Sequence, residues 1–357
     1  MIRELILNKP PIRTANNFEM NNVVIKEDMP YEIGRFKNIE IENKENSKII
    51  IDNQKLDVFS NSNYEIKYGV GEELLKEIEE SANNRIFIHI TKKLEHTIVV
   101  EYRFDKDNKN LVNDINIEAE EGTKAKILIK YIGSIGKFYH NGLVRINAKK
   151  DSDIEIGVVN LLNITSDNFT SFDNTIGENA RLEYTLIELG GKNNVSNWYS
   201  KVNGNNAECK LETIYLGIEN QLIDLNYIGE LYSPKSQIQI DVQGVLKDET
   251  KKNFKGTIDF KTGAKEAKGA ENESCILLSD KARSKALPIL LCTEDDVEGE
   301  HSTGSGKIEN EKLFYLMSRG FSKKEAIKLI VRAKFDNILS NIDDNEEIWN
   351  EIDRRLD

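Results

Sequence analysis

The segment KKDSDIEIGVVNLL (149–162) begins with a polar turn and continues as an alternating apolar run. Four other segments repeat this pattern: EEGTKAKILIKYIG (120–133), IGENARLEYTLIEL (176–189), GNNAECKLETIYLG (204–217) and YSPKSQIQIDVQGV (232–245). Equivalent positions in the five segments are 28, 27, 27 and 29 residues apart, at Ala125, Asp153, Ala180, Ala207 and Ser236. A strand pattern with a fixed period of this length predicts a solenoid, because one coil buries its apolar face only against the next coil.

Each repeat holds two strands, with Gly, Asn and Asp at the turns between them. Two architectures fit a mainly β chain of this kind. A parallel β-helix explains the constant period, and we take it as the first interpretation of a core over residues 81–305. An antiparallel sandwich with regularly spaced strands is the alternative.

The two ends of the chain lack this period. Residues 1–80 are predicted to form a small N-terminal region with one short amphipathic helix at its end, GEELLKEIEES (71–81). From residue 306 to residue 357 the apolar residues recur at helical spacing, which predicts a C-terminal helical domain.

Three helices are predicted in this C-terminal domain. The first starts near Asn310 and ends at Gly320, and the third covers NEEIWNEIDRR (345–355). Ser322 is predicted to cap the second helix, with Glu325 at the capping-box position. The second helix is predicted to carry one apolar stripe: Ala326, Leu329, Ile330, Ala333 and Ile338.

The composition argues against several classes of protein. The 357 residues carry a formal net charge of −12, whereas proteins that bind nucleic acids or anionic membranes need basic surfaces. We therefore expect neither nucleic acid nor a membrane as a partner.

Three cysteines are too few for a disulfide framework in a chain of this length. Reduced thiols indicate a cytoplasmic location.

The candidate chemistry lies in residues 273–321, ESCILLSDKARSKALPILLCTEDDVEGEHSTGSGKIENEKLFYLMSRGF. This segment contains Cys275, Cys292 and His301, together with a run of acids. Thiolate, imidazole and carboxylate are ligand types that iron and other transition metals accept. A free cysteine is also often a small buried apolar residue. The pattern alone therefore leaves both interpretations of Cys275 open.

The same segment resembles the C-terminal core of the SufB/SufD family, the scaffold proteins of iron–sulfur cluster assembly. The resemblance rests on four motifs: LLSDKA (277–282), Pro288, EDDVEGEH (294–301) and GKIENEKLFYLMSRG (306–320). It implies a right-handed parallel β-helix core, in agreement with the repeat pattern. It also implies a SufB-like scaffold that holds an iron–sulfur cluster transiently and is not itself an enzyme.

The resemblance also implies roles for individual residues. Cys275 corresponds to a cysteine that is essential for cluster assembly in the SufB branch. His301 corresponds to a histidine that the SufD branch uses, and Glu300 to an acid that precedes this position in the SufB branch. All three are therefore candidate cluster-binding residues, with Cys275 and His301 as metal ligands. Ser302 stands where the SufB pattern often has a second acid, which removes one carboxylate from that pattern.

Three partners follow from the resemblance: a SufC-type ABC ATPase, a cysteine desulfurase system that donates sulfur, and a second SufB/SufD-type protomer. Because Cys275 and His301 occur in one chain, we expect a homodimer in which the cysteine of one protomer faces the histidine of the other. The ATPase is expected to bind an apolar surface of the C-terminal helices: Leu313, Phe314, Met317, Leu329 and Ile330.

The remaining cysteines and histidines are expected to be structural. Cys292 ends an apolar strand and is expected in the core, although Cys292 and Glu294 remain possible secondary ligands. The acidic run that begins at Glu294 is expected to form a solvated turn. Cys209 alternates within a strand and is expected to be buried. Three histidines are expected at strand surfaces or turns: His89, His96 and His140.

Two alternative functions stay open at this point. A carbohydrate-active β-helix enzyme would need paired carboxylates on neighbouring coils, and acids are plentiful in this chain. A purely structural SufD-like partner is the other alternative, and Cys275 argues against it. The sequence has no Walker A motif, so the chain is not expected to bind ATP itself.

Overall fold

The computed structural model describes most of the chain, namely residues 3–14, 16–27, 33–43, 48–52 and 66–357. Parts of the predicted N-terminal region therefore lie outside the described residues. No helix in the described part of the chain is both long enough and apolar enough to span a membrane.

The repeat strands form two parallel sheets, and the chain passes from one sheet to the other in each half-coil. Sheet I contains the even-numbered strands β6 (Ile98–Arg103), β8 (Lys124–Gly133), β10 (Asp153–Leu162), β12 (Arg181–Glu188), β14 (Glu208–Gly217), β16 (Gln237–Leu246), β18 (Ala267–Leu277) and β20 (Val297–Gly306). Sheet II contains the odd-numbered strands β5 (Asn84–Ile90), β7 (Asn110–Ala119), β9 (Tyr139–Ala148), β11 (Asp167–Ile176), β13 (Asn193–Val202), β15 (Leu222–Leu231), β17 (Lys251–Phe260) and β19 (Arg283–Cys292). The fold is a parallel β-solenoid of about eight turns, which confirms the β-helix over the antiparallel sandwich.

The register corrects two of the five positions that the sequence pattern aligned. Asp153 pairs with Arg181 and not with Ala180, and Ala125 pairs with Ile154 and not with Asp153. Each of these two steps is one residue longer than the aligned positions assume, with 29 residues from Lys124 to Asp153 and 28 from Asp153 to Arg181. The turns before β10, β12, β14, β16 and β18 each hold one residue in the left-handed region. Short polar side chains tolerate this region best after glycine, but two of the five residues are longer: Asp151, Asn179, Asn206, Lys235 and Glu266.

The interior between the two sheets is filled by the alternate side chains that point inward from each strand. Most of these are branched aliphatic residues, and aromatic rings continue the column through the middle coils. The rings of Tyr184, Trp198, Tyr227 and Phe254 pack edge to face from one coil to the next. Such contacts between coils hold the stack together where each coil alone has no core.

The N-terminal region covers the outer face of sheet II. It contains the hairpin β1 (Arg3–Leu7) and β2 (Val23–Glu27), with a 3-10 turn at Asn16–Phe18, and the helix α1 (Glu72–Ser81). The predicted helix is thus confirmed. Two short strands add antiparallel to the first coil: β3 (Ile39–Glu42) to sheet I and β4 (Lys48–Asp52) to sheet II.

The C-terminal region contains three helices, α2 (Asn310–Ser318), α3 (Lys323–Leu339) and α4 (Glu346–Leu356). Helices α3 and α4 pack on the outer face of sheet I and share an apolar core with it. Ser322 and Glu325 form the predicted capping box at the start of α3, and Gly320 follows α2 with a φ of 101°.

The predicted apolar stripe of α3 is only partly correct. Ala326 and Ile338 are buried as expected, but Leu329 and Ala333 are exposed. The buried face instead runs through Val331, Phe335 and Leu339, besides Ala326 and Ile338. The helix has apolar residues on more than one side, and the side that carries Phe335 packs against the sheet.

The solenoid ends at an open coil formed by β19 and β20. These two strands are the last in their sheets, and no other described strand pairs with their outer edges. Nine of the ten β20 residues are exposed. The inward-pointing positions of this last coil therefore face the surroundings and not another layer of core.

Candidate functional site

Strand β18 brings the candidate thiol to the second-last layer of the solenoid. Alternation along the strand turns Glu271, Glu273 and Cys275 toward the interior, and Cys275 is only 3% exposed. Its neighbours in the sheet are Gly244 of β16 on one side and Ser305 of β20 on the other. Cys275 therefore lies directly beneath the open coil.

A buried ion pair lies beside this thiol. The Lys252 ammonium, from β17 of the opposite sheet, donates to Oε1 of Glu273 at 2.8 Å, and both side chains are fully buried. The Tyr215 hydroxyl donates to the same oxygen at 2.7 Å. A side chain at Gly244 would prevent this arrangement, because its Cβ would come within 1.8 Å of the Tyr215 ring.

These neighbours act in opposite directions on the thiol. Burial raises the pKa of Cys275, whereas the positive charge of Lys252 and the nearby Tyr215 hydroxyl lower it. The net direction is upward, so the isolated chain favours the protonated thiol. Since the thiolate is the form that binds metal, exposure of this layer, or a further cation besides Lys252, would be needed to make Cys275 a good ligand.

Glu271 is a second functional candidate, which sequence analysis missed. Burial, and then the charge of Glu273, raise the pKa of Glu271 to about 8. Its Oε1 is buried without any hydrogen-bond partner among the described residues. The signal was present in the sequence, because the spacing in ENESC puts Glu271, Glu273 and Cys275 on one face of a strand.

His301 lies on β20, directly beside Glu271 in the parallel ladder. Gly299 shows which face of β20 points inward, because a Cβ added there would touch Leu290 of β19 at 3.0 Å. His301 is two residues further on and therefore shares this inward face, but it is exposed because the coil is the last one.

The thiol and the imidazole are not brought together within one chain. Cys275 is level with Ser305, four residues along β20 from His301, which corresponds to roughly 13 Å at about 3.3 Å per residue. In the described residues no group of three or more His, Cys, Asp or Glu side chains could hold a metal ion. A complete cluster site would therefore need ligands from outside this chain.

Glu300 points to the opposite side of β20 from His301, because neighbouring residues of a strand alternate. It lines an open groove on the outer face of sheet I, together with Lys268 and Glu298, which form an ion pair at 2.8 Å. Glu300 and His301, which the resemblance grouped as cluster-binding residues, thus lie on opposite faces of β20.

Cys292 is exposed, so its expected place in the core is wrong. By register it points inward, beside Phe260, but no further coil covers it. Its sulfur lies 2.8 Å from the backbone oxygen of Glu294. The Glu294 carboxylate accepts a hydrogen bond from the backbone N–H of Gly263, which lowers its pKa. Glu294 is half-buried, whereas the next two acids, Asp295 and Asp296, are exposed, in agreement with the predicted turn.

The other cysteine and histidines do not take part in the site. Cys209 is buried, as expected, and burial raises its pKa to about 12. His140 is also buried, which contradicts the expected surface position. It lies in the interior between Asn113 and Asn168, and burial lowers its pKa to about 4. Its polar neighbours on adjacent coils explain why a histidine is accepted there.

Helix α2 and the start of α3 present an exposed apolar patch. Phe314 is 74% exposed, and Leu313 and Ile330 are half-buried. The other large exposed apolar side chains of this patch are Tyr315, Met317, Phe321 and Leu329. The patch contains all five residues that were predicted to contact an ATPase.

Helix α3 also reaches the strand that carries the thiol. The Lys334 ammonium donates to Oε1 of Gln243 at 2.5 Å and to Oγ of Ser274 at 2.9 Å. Ser274 directly precedes Cys275 on β18. Gln243 directly precedes Gly244 on β16, and Gly244 is the ladder partner of Cys275. The helix thus holds both strands from the outside at the level of the thiol.

Comparison with known proteins identifies the family. Residues 102–334 match the family described as SUF system FeS cluster assembly, SufBD core domain. The iron–sulfur cluster assembly protein SufD of Bacillus subtilis is 25% identical over 70% of this chain and 58% of its own length. An iron–sulfur cluster assembly SufBD family protein of Pyrococcus horikoshii is 36% identical over 47% of this chain and 37% of its own length.

A SufBD family protein of Staphylococcus saprophyticus is similar at 24% identity, over 69% of this chain and 54% of its own length. The chain thus spans between about a third and three fifths of the length of these relatives. The matched region takes in nearly all of the solenoid, including Cys275, Glu271 and His301. On this basis the chain belongs to the SufBD core family of the SUF system for iron–sulfur cluster assembly.

Proposed function

We propose that this chain is a scaffold, and not itself an enzyme, on which an iron–sulfur cluster is built transiently at the junction of two protomers. One observation carries the proposal: His301 on the last coil and Cys275 one layer below it lie on the same inward face of sheet I, but they are too far apart to share a cluster within one chain. A second open coil would supply the missing ligands. The expected location is the cytoplasm, where thiols stay reduced.

A two-fold dimer through β20 would bring these residues together. An uncovered edge strand offers unpaired N–H and C=O groups to another strand, and a two-fold interface uses the same patch on both protomers. If two β20 strands pair antiparallel about Thr303, His301 lies opposite Ser305 of the partner subunit. Ser305 is the neighbour of Cys275 in the ladder, so the histidine of one protomer reaches the thiol layer of the other.

The expected partners act on this junction from different sides. A SufC-type ABC ATPase would bind the exposed patch on α2 and α3, and a cysteine desulfurase system would deliver sulfur to Cys275. The contact from Lys334 to Ser274 supports a route by which movement of α3 reaches the thiol strand. ATP-driven movement of the helices would then open the layer in which Cys275 is buried.

The test is anaerobic reconstitution with iron and sulfide, followed by visible absorption and by iron and sulfide content. Cys275→Ser and His301→Ala are each expected to abolish cluster accumulation, whereas Cys209→Ser has little effect and Cys292→Ser an intermediate one. Wild-type iron and absorbance in Cys275→Ser would refute the assignment of the key thiol. Equal loss in all three cysteine variants would indicate an all-cysteine site.

A mixed dimer tests whether the site is shared between protomers. When the Cys275→Ser and His301→Ala chains are unfolded, mixed and refolded together, some dimers combine an intact thiol with an intact imidazole across the junction. Cluster formation is expected to return in the mixture to a fraction of the wild-type level. Absence of any rescue, with dimers present by light scattering, would contradict a site shared in this way.

A further inference from the structure

Glu271 is a buried carboxyl group without a neutralising partner. The other buried acid of β18, Glu273, is paired with Lys252 and receives the Tyr215 hydroxyl. Glu271 is also only 3% exposed, yet its Oε1 has no hydrogen-bond donor among the described residues. A buried polar atom that lacks a partner costs on the order of 1–3 kcal/mol, so such an atom in a folded protein calls for an explanation.

A glycine on the opposite sheet leaves the space that the Glu271 carboxyl occupies. Gly256 of β17 faces it across the interior, and a Cβ added to Gly256 would lie 2.3 Å and 2.4 Å from the two carboxyl oxygens. The carboxyl therefore points across the interior and occupies the space of a missing side chain. Any larger residue at position 256 would displace it.

His301 is the neighbour of Glu271 on the side of the open coil. The two residues are partners in the parallel ladder between β18 and β20, so their backbones are about 4.8 Å apart. Both belong to the inward face, but Glu271 is covered and His301 is exposed. An ion that enters from the open end would meet the coil of His301 first and the coil of Glu271 one layer below it.

We propose that Glu271 and His301 form a binding site for a divalent transition-metal ion, with iron(II) as the ion taken up for cluster assembly. An imidazole nitrogen and a carboxylate oxygen suit iron(II), cobalt(II) and zinc(II) alike. The bound cation supplies the partner that Oε1 of Glu271 lacks. Water or groups of a second protomer complete the coordination, because two ligands from this chain do not fill it.

This inference rests on the proposed function and adds a division of labour to it. Iron binds at the His301 end of the open coil, and sulfur arrives at Cys275, roughly 13 Å away along the strand at about 3.3 Å per residue. The two reactants of cluster assembly are then held apart on one chain. They meet only when a second protomer brings its thiol layer to the imidazole.

The experiment is an anaerobic titration of the full-length chain with cobalt(II) in the absence of sulfide, followed by d–d absorption and calorimetry. Glu271→Gln, which keeps the size of the side chain, and His301→Ala are each expected to weaken binding at least tenfold. Glu298→Gln is the matched control. Glu298 lies on β20, as His301 does, but its carboxylate pairs with Lys268 on the outer face of sheet I. It is expected to bind as the wild type does, and circular dichroism checks the fold of every variant.

One further variant makes the outcome decisive. Loss of cobalt(II) binding in both Glu271→Gln and His301→Ala supports the inference even if no cluster is ever assembled, so the metal site and the scaffold function can fail separately. Unchanged binding in Glu271→Gln overturns the inference, whether or not clusters form. Loss of binding in Glu300→Gln together with wild-type binding in Glu271→Gln also overturns it, and would place the metal on the outer face of β20.

Discussion

At the scale of single residues, Asp173 shows how burial links stability to pH. It lies on the outer face of sheet II, is 2% exposed and has no hydrogen-bond partner for Oδ2 among the described residues. Burial raises its pKa from 3.8 to about 7, against the opposing charges of Arg145 and Lys201. The folded chain thus keeps a proton here that the unfolded chain loses near pH 4.

The variant Asp173→Asn is expected to remove this pH dependence. Because the folded wild type binds more protons between pH 4 and pH 7, its free energy of unfolding falls as the pH rises through that range. A shift of this size corresponds to at most about 4 kcal/mol at 1.36 kcal/mol per pKa unit. Urea unfolding should therefore show Asp173→Asn more stable than the wild type at pH 8 and nearly equal at pH 4. A difference that does not change with pH would contradict the assignment.

The sequence predicted the identity of the candidate ligands better than their surroundings. Cys275 and His301 were recognised from residue type and motif. The sequence places Glu271 on the same strand face as Cys275, but its missing hydrogen-bond partner and the space left by Gly256 on another strand appear only in the fold. Cys292 was predicted in the core because it ends an apolar run. Whether an inward-pointing residue is buried depends on the presence of a further coil, and a local pattern carries no such information.

At the scale of secondary-structure elements, α2 is the part of the C-terminal region that the solenoid does not cover. Helices α3 and α4 contribute to the core under sheet I, whereas α2 has no buried residue. An exposed group of large apolar side chains of this kind is typical of a partner site. Aromatic side chains in such patches often carry a large share of the binding energy.

The variant Phe314→Asp is expected to weaken binding of a SufC-type ATPase at least tenfold without changing thermal stability. Phe314 is 74% exposed, so the substitution disturbs contacts with a partner more than contacts within the fold. Ile135→Asp is the matched control, because Ile135 is 87% exposed in the turn between β8 and β9, outside the patch. Calorimetry with the purified ATPase measures the effect. Equal affinities for Phe314→Asp and Ile135→Asp would exclude the patch as the binding site.

The elements themselves followed closely from local sequence signals. Period-two alternation and polar turns located the strands, and the capping box located the start of α3. The sequence did not predict which side of α3 is buried. Leu329 and Val331 are both apolar, and only the packing of α3 against the sheet determines that Val331 is buried and Leu329 exposed. His140 was misplaced for a related reason, since the asparagines that satisfy it lie on neighbouring coils, 27 and 28 residues away.

At the scale of the whole molecule, the uncovered edge of β20 predicts association of two chains. Gly304 lies on this strand, and a Cβ added there would meet no atom within 4 Å. Gly304→Lys should therefore leave the monomer fold intact, while a lysine on an edge strand opposes strand pairing. Light scattering at micromolar concentration is expected to show a dimer for the wild type and a monomer for this variant.

Gly34→Lys provides the control for that experiment, because Gly34 also has no atom within 4 Å of an added Cβ but lies in the N-terminal region. It is expected to stay dimeric. A wild-type chain that remains strictly monomeric, with and without the ATPase, would rule out the homodimer. A dimer that survives in Gly304→Lys would place the junction elsewhere.

The open last coil also has a kinetic meaning. Each coil of a solenoid is stabilised only by its neighbours, and among the strands that the structure describes the coil of β19 and β20 has a neighbour on one side alone. Its backbone hydrogen bonds should therefore break and re-form by fraying, at a fraction of the free energy needed to unfold the whole chain. Cys275 lies one layer below, so the thiol is uncovered each time β20 detaches and is sealed each time it returns. Whatever holds β20 in place, or releases it, sets how often the buried thiol becomes reactive.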